Sequence, residues 1–186
     1  MIVKGSIKGS VANIGGLVAS ATVQTTIKNC KNYANIVSTF TGTKVTDFAF
    51  VGGILGSSGN NVVMVIDACE NYGNINAERT MVGGIAGLPR KASNSYIANC
   101  KNFGNVTGSA QVGGICGATR IKVENSYCLS TALINGKEAS TLTLYGVKTS
   151  VGGTVVTASI VGQIDDKNGG SLVGGGLCDA QGNVIE

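Results

Sequence analysis

The sequence predicts an all-β chain: a right-handed parallel β-helix (β-solenoid) of about 30-residue coils with a C-terminal β cap. Three observations lead there. One phrase recurs as Ile14-Gly15-Gly16-Leu17, Val51-Gly52-Gly53-Ile54-Leu55-Gly56, Val82-Gly83-Gly84-Ile85-Ala86-Gly87 and Val112-Gly113-Gly114-Ile115-Cys116-Gly117. A second phrase alternates with it: Asn29-Cys30-Lys31-Asn32-Tyr33-Ala34-Asn35-Ile36, Ala68-Cys69-Glu70-Asn71-Tyr72-Gly73-Asn74-Ile75 and Asn99-Cys100-Lys101-Asn102-Phe103-Gly104-Asn105-Val106. A period of 20–50 residues is the mark of stacked-repeat architectures. The third observation is composition. With 29 glycines, one proline, abundant Val, Ile and Thr and no sustained helical period, the chain reads as short strands joined by many turns.

The glycine pairs starting at Gly15, Gly52, Gly83 and Gly113 are 37, 31 and 30 residues apart, so the first unit carries an insertion, placed around Ser38–Lys44. In the unit from Val82 to Gln111 three strands are expected: Met81–Ala86, Tyr96–Cys100 and Phe103–Thr107. A loop over Gly87–Ser95 holds the single proline, Pro89, and a turn over Gly108–Gln111 leads to the next unit. Three strands and three corners per repeat is the arithmetic of a β-helix. Alternation along a strand puts Tyr96, Ala98 and Cys100 on one face, inward with the cysteines, although Ile97 argues against a clean assignment. Val82 and Ile85 also resist alternation, being apolar and three apart. Either a corner at Gly83-Gly84 or a strand buried on both faces accounts for them.

Beyond Leu129 the period is lost. Strands are expected over Leu142–Val147, Gly153–Gly162 and Ser171–Leu177, and turns over Asp165–Gly170 and Asp179–Asn183, the second closing a hairpin. Val151-Gly152-Gly153 and Val173-Gly174-Gly175 either echo the repeat or end it. The chain therefore divides into a repeat region, 1–128, and a degenerate final coil or β-rich cap, 129–186, since a stack needs atypical ends.

In stacked coils like residues superpose about 4.8 Å apart. That predicts a cysteine column (Cys30, Cys69, Cys100) and two asparagine columns (Asn32, Asn71, Asn102 and Asn35, Asn74, Asn105). It also predicts an aromatic column (Tyr33, Tyr72, Phe103) and a charge ladder Lys31-Glu70-Lys101. Asparagine suits corners because it tolerates left-handed backbone, and stacked carboxamides can link coils. The six cysteines admit two readings, a disulfide framework or buried free thiols, and parallel stacking favours the second. With no histidine and no C-x-x-C pair, a zinc site is not expected, nor any other cofactor.

The net charge of +4 comes from scattered basic residues, with Arg90-Lys91 the one adjacent pair, so nucleic acid is not an expected partner. No stretch approaches the roughly 18 apolar residues of a membrane helix. The chain enters strand-like sequence at once, as in a cytosolic protein or in a segment of a longer secreted protein whose signal peptide lies elsewhere, and the abrupt entry into the repeat favours the second.

The two phrases resemble the GLUG repeat of large bacterial surface proteins, including segments of IgA-specific metallopeptidases and many proteins of gut Bacteroidales. The likeness spans roughly residues 11–128 and is clearest at Val82–Gly87, Asn99–Val106 and Val112–Gly117. It implies an extracellular, bacterial cell-surface, adhesin-like β-solenoid. It does not imply peptidase activity, because H-E-x-x-H is impossible without histidine.

Absence of histidine also removes Ser-His and Cys-His catalysis. The expected function is non-catalytic adhesion to a glycan or a host or matrix protein through loops on one side. Those loops span Ser38–Asp47 and Leu88–Asn94, with Thr41, Lys44, Asp47, Arg90, Lys91 and Asn94 as candidate contacts. The alternatives are a stalk holding other domains of a larger chain, and a polysaccharide-active β-helix enzyme working through paired carboxylates.

Overall fold

The structure, a computed structural model, describes residues 1–42, 48–78, 80–109, 111–147 and 157–186. It is all-β, with mostly parallel sheets and two short 3-10 turns, Ala139–Thr141 and Asp166–Asn168. The first 28 residues make five short strands: Ile2–Val3, Ser6–Gly9, Asn13–Gly15, Val18–Ala21 and Thr25–Lys28. Each pairs in parallel with a strand of the next unit, with Ile2 opposite Lys31, Ile7 opposite Ile36, Ile14 opposite Val51, Val18 opposite Leu55 and Ile27 opposite Ile66. The next units repeat the pattern, as where Asn71 lies between Asn32 and Asn102 and Val82 between Val51 and Val112. The chain thus returns to the same sheets in the same order, an arrangement compatible with a β-helix.

Equivalent apolar residues fill the interior. Ile36, Ile75, Val106 and Ile134 form one column, Ile27, Ile66, Ile97 and Val123 another, and Ile54, Ile85 and Ile115 a third, all buried. Burying such a branched side chain contributes about 1.5–3 kcal/mol, so these columns are the main favourable term.

Each repeat has five short strands rather than the three expected. Met81–Ala86 is cut at the glycine pair into Thr80–Gly83 and Ala86–Leu88. Tyr96–Cys100 ends early, at Ala98, because Asn99 is left-handed (φ +55°). The strand then resumes at Lys101–Asn102 and again at Val106–Thr107. The left-handed residue also corrects the expected facing. It resets the alternation, so Ile97 and Cys100 both point inward with no exposed surface, while Tyr96 is half-buried on the outer side. The glycine pair acts likewise, letting Val82 and Ile85 both face the core.

The resetting position is Asn29, Ala68, Asn99 and Asn125 in successive units, all at positive φ. Alanine is the misfit: left-handed backbone costs an ordinary residue about 1–2 kcal/mol, and asparagine less. Ala68 is exposed at φ +51°. Ala68→Asn is therefore expected to stabilise the fold by about 0.5–1 kcal/mol, read as a higher urea midpoint with an unchanged slope.

The parallel ladders do not stop at Leu129. Ala158–Ser159 pairs with Val112–Gly113, Gly162–Ile164 with Ala118–Thr119, Ser171–Val173 with Lys122–Glu124, and Gly176–Cys178 with Tyr127–Leu129. What hides the period is the chain inserted before Ala158. It contains the antiparallel hairpin Leu133–Ile134/Lys137–Glu138 and the strand Tyr145–Val147, which pairs with Gly162–Ile164. A second antiparallel hairpin joins Gly176–Cys178 to Val184–Ile185, its turn held by Asp179 Oδ1 accepting from the amides of Gln181 and Asn183. Val173-Gly174-Gly175 does not repeat the glycine phrase, since Val173 pairs with Glu124 and the residues in register with Val112-Gly113 are Ala158-Ser159. Val151–Gly153 lie outside the described residues.

Candidate functional site

The two sequence phrases meet inside the molecule. The carboxamide Nδ2 of Asn32 donates to Asn71 Oδ1 at 2.8 Å, and that of Asn71 donates to Asn102 Oδ1 at 2.8 Å. The second proton of each Nδ2 goes to the carbonyl two residues on: Ala34, Gly73 and Gly104. All three asparagines are fully buried, and the ladder ends where Asn102 meets Cys128 Sγ at 3.7 Å. The second glycine of each pair lies against this ladder, so close that a Cβ on Gly84 would stand 2.2 Å from both Asn102 Cγ and the Gly114 carbonyl oxygen. Both Nδ2 protons being used, these carboxamides hold the stack together and present nothing to solvent.

The outer asparagines link units differently. Asn35 Oδ1 accepts from the amide of Asn74, Asn74 Oδ1 from that of Asn105, and Asn105 Oδ1 from that of Leu133. The aromatic column is a face-to-face stack, with ring centroids 4.5 Å apart for Tyr33–Tyr72 and 4.6 Å for Tyr72–Phe103. Their faces cover one another, which leaves ring edges rather than an open sugar platform. Beside it Lys31 Nζ lies 2.7 Å from Glu70 Oε2, which also accepts from the Tyr72 hydroxyl. Burial works to raise the Glu70 carboxyl, but the hydrogen bonds from Lys31 and Tyr72 outweigh it and hold the group below its ordinary value.

All six cysteines are free and buried. The thiols of Cys30, Cys69 and Cys100 each donate to a carbonyl two residues earlier, and Ser126 takes the same position in the next unit. The Cys69–Cys100 hydrogen bond separates that pair, lowering Cys69 and raising Cys100, which burial raises further. Burial alone pushes Cys116 up, and it pushes Cys128 up to about 12. Thiolate is the reactive form, which burial disfavours at Cys116 and Cys128, and burial also denies a reagent access to Cys69 despite its lowered value. In native protein a disulfide reagent is therefore expected to label the six thiols very slowly. In denaturant all six should react at once, counted from the absorbance of released thiolate.

The turn expected over Asp165–Gly170 does not leave Asp165 in solvent. It is instead buried, its Oδ2 accepting from Arg120 Nε at 2.9 Å and both oxygens accepting from Asn168 Nδ2. Among the described residues no group of three or more His, Cys, Asp or Glu is placed to hold a metal ion.

The candidate loop residues lie as follows. Thr41 is exposed. Lys44 and Asp47 fall outside the described residues. The Arg90 guanidinium sits 5.4 Å from the centroid of the Phe50 ring, and its amide donates to Ser58 Oγ. Lys91 and Asn94 are exposed, Asn94 at φ +62°. None of the four described ones lines the polar groove that the outer surface does carry.

That groove, of about 290 Å³, is lined by Asp67, Tyr96, Ala98, Asn99, Lys122, Glu124 and Asn125. Register builds it. Asp67, Ala98 and Glu124 take the same position on three adjacent strands, as do Val65, Tyr96 and Lys122. Ala98, the small middle member, leaves a notch between two carboxylates whose backbones are two strand spacings, roughly 9.5 Å, apart. Left-handed Asn99 and Asn125 bring their carboxamides to its edge. Asp67 accepts from Asn99 Nδ2 at 3.0 Å and faces Lys28 at 3.5 Å; Glu124 pairs with Lys122. The groove thus offers acceptors, donors and one aromatic ring to a polar ligand. Sequence reasoning passed over it because its residues come from outward positions of three units. The available signal was the alignment of those positions through the cysteine phrase. No family model, curated protein or solved structure matches this chain.

Proposed function

We propose that this chain is a right-handed parallel β-helix of about 30-residue coils, closed at its C-terminal end by residues 129–186. We further propose that it serves as a non-catalytic, adhesin-like module of a bacterial cell surface, akin to GLUG-repeat proteins. The in-register return to the same sheets and the interlocked phrases support the architecture. The groove at Asp67, Tyr96 and Glu124 carries the binding reading, and a glycan is the ligand class it fits. Hydroxyl-rich ligands need paired acceptors and donors beside an aromatic surface, and here carboxylates, carboxamides, a lysine and Tyr96 converge. Each carboxylate already faces a lysine, which suits hydrogen-bond acceptance rather than the proton donation that glycoside hydrolysis requires.

The test is a glycan array followed by titration calorimetry on the best hit, comparing the parent chain with Tyr96→Ala and Glu124→Gln. Each substitution is expected to weaken binding about tenfold or more, a loss near 1.4 kcal/mol, with the circular dichroism spectrum unchanged. Binding that survives both substitutions, or no glycan bound at all, rejects the groove. The second outcome would leave the stalk reading, which the continuous internal asparagine ladder favours by stiffening the stack.

A further inference from the structure

We propose that the two ends of this chain bind one another, so that copies associate head to tail. The idea goes beyond the groove and rests on different residues. All five strands of residues 2–28 are outermost in their sheets, each with a single parallel partner. The carbonyls of Met1, Val3, Gly5 and Gly9 accept from the following unit, so in this alternation those of Ile2, Lys4, Ser6 and Lys8 point away from the molecule. This is a multi-strand edge ready to accept further strands. Beside it an apolar groove of about 310 Å³ is lined by Met1, Leu17, Val18, Ile27 and Cys30 among others.

Exposed apolar side chains are concentrated at the two ends. Met1, Ile2, Val11 and Val23 lie in the first unit, with Ile2 61% and Val23 70% exposed. Val173, Val184 and Ile185 lie in the last, with Val184 55% exposed. Among the described residues, no large apolar side chain between Phe48 and Leu133 is exposed. Tyr33, Val37 and Phe48 in the second unit and Leu133, Leu144 and Tyr145 in the inserted chain are 36–41% exposed, each less than any of the seven at the two ends, and that bias marks the ends as association surfaces.

Charge selects the pairing. No acidic residue precedes Asp47, so the first unit carries Lys4 and Lys8 unopposed, Lys28 being paired with Asp67 of the next unit. Residues 158–186 carry Asp165, Asp166, Asp179 and Glu186 against Lys167 alone, and Asp165 is spent on Arg120. Head-to-head pairing sets lysine against lysine, whereas head-to-tail pairing sets lysine against carboxylate. A heterologous contact of this kind repeats without closing, so it yields linear assemblies of a second, third and further copy.

Sedimentation equilibrium on the full chain tests this. The weight-average mass of the parent is expected to rise with protein concentration and to fall with added salt. Ile2→Glu/Val23→Glu alters one end and Val184→Lys/Ile185→Lys the other, all at exposed positions, with circular dichroism as the folding check. Each variant alone is expected to stay at monomer mass, and an equimolar mixture to regain association. A parent that is monomeric throughout overturns the proposal and leaves the ends to flanking segments of a longer chain. Self-association of either variant by itself overturns it too, because that is the signature of like ends pairing.

Discussion

Gly84→Ala is expected to destabilise the fold by about 3 kcal/mol or more, although it adds a single methyl group. The new Cβ would stand 2.2 Å from the Gly114 carbonyl oxygen and 2.2 Å from Asn102 Cγ. Neither neighbour can withdraw cheaply. The carbonyl directly follows Val112–Gly113, which pairs in register with Thr80–Gly83 on one side and Ala158–Ser159 on the other, and the carboxamide is fixed by bonds to Asn71 and Gly104. Gly5 is the comparison. It is left-handed at φ +101°, but nothing lies within 4 Å of a Cβ there, so Gly5→Ala should cost only about 1 kcal/mol of backbone strain. Urea denaturation of both variants measures the difference. Asn102→Ala should cost less in the Gly84→Ala background than in the parent, since there it also removes one of the two collisions. Equal costs at Gly5 and Gly84 would mean that the glycine phrase is conserved between units for backbone freedom and not for close approach.

That close approach explains why the two phrases alternate, and also what a sequence can reveal. Residues that touch their own equivalents, such as Asn32, Asn71 and Asn102, are readable because stacking forces identity at a fixed period. Residues whose partners are different residues are not. Arg120 and Asp165 are 45 positions apart and share no motif, so their buried pair looks like a solvated turn. The groove is built on the gap above Ala98, and alanine carries no signal of its own. The expected facing failed at Tyr96 because strict alternation holds only while φ stays negative, and a single left-handed Asn99 shifts it by one, so that Ile97 and Cys100 both face inward. The continuation past Leu129 was hidden by inserted chain. Even so, Asn135-Gly136, both at positive φ, is a hairpin signal the sequence offered.

Asn71→Asp should be the most damaging near-isosteric change in the molecule, costing about 3–5 kcal/mol at neutral pH. The acceptor toward Asn32 survives, but both donors are lost. A carboxylate oxygen would then face the Gly73 carbonyl and Asn102 Oδ1, where Nδ2 now makes bonds of 2.9 and 2.8 Å. The site is fully buried, so no water relieves the repulsion. Desolvation and the facing acceptors raise the folded-state pKa of the new carboxyl above its unfolded value of about 3.9. The added cost is therefore complete above the folded pKa. It shrinks as pH falls through that value, and it is least below about pH 3.9, where the protonated group can donate one of the two missing bonds. Asn71→Leu, of similar volume, strands the same partners without a titrating group, so its cost should not vary with pH. Urea midpoints for the two variants between about pH 4 and 7, each referred to the parent at the same pH, separate the cases. Parallel curves would show that the Asn71 carboxamide does not donate into the ladder, and the mechanical link between the two phrases would have to lie elsewhere.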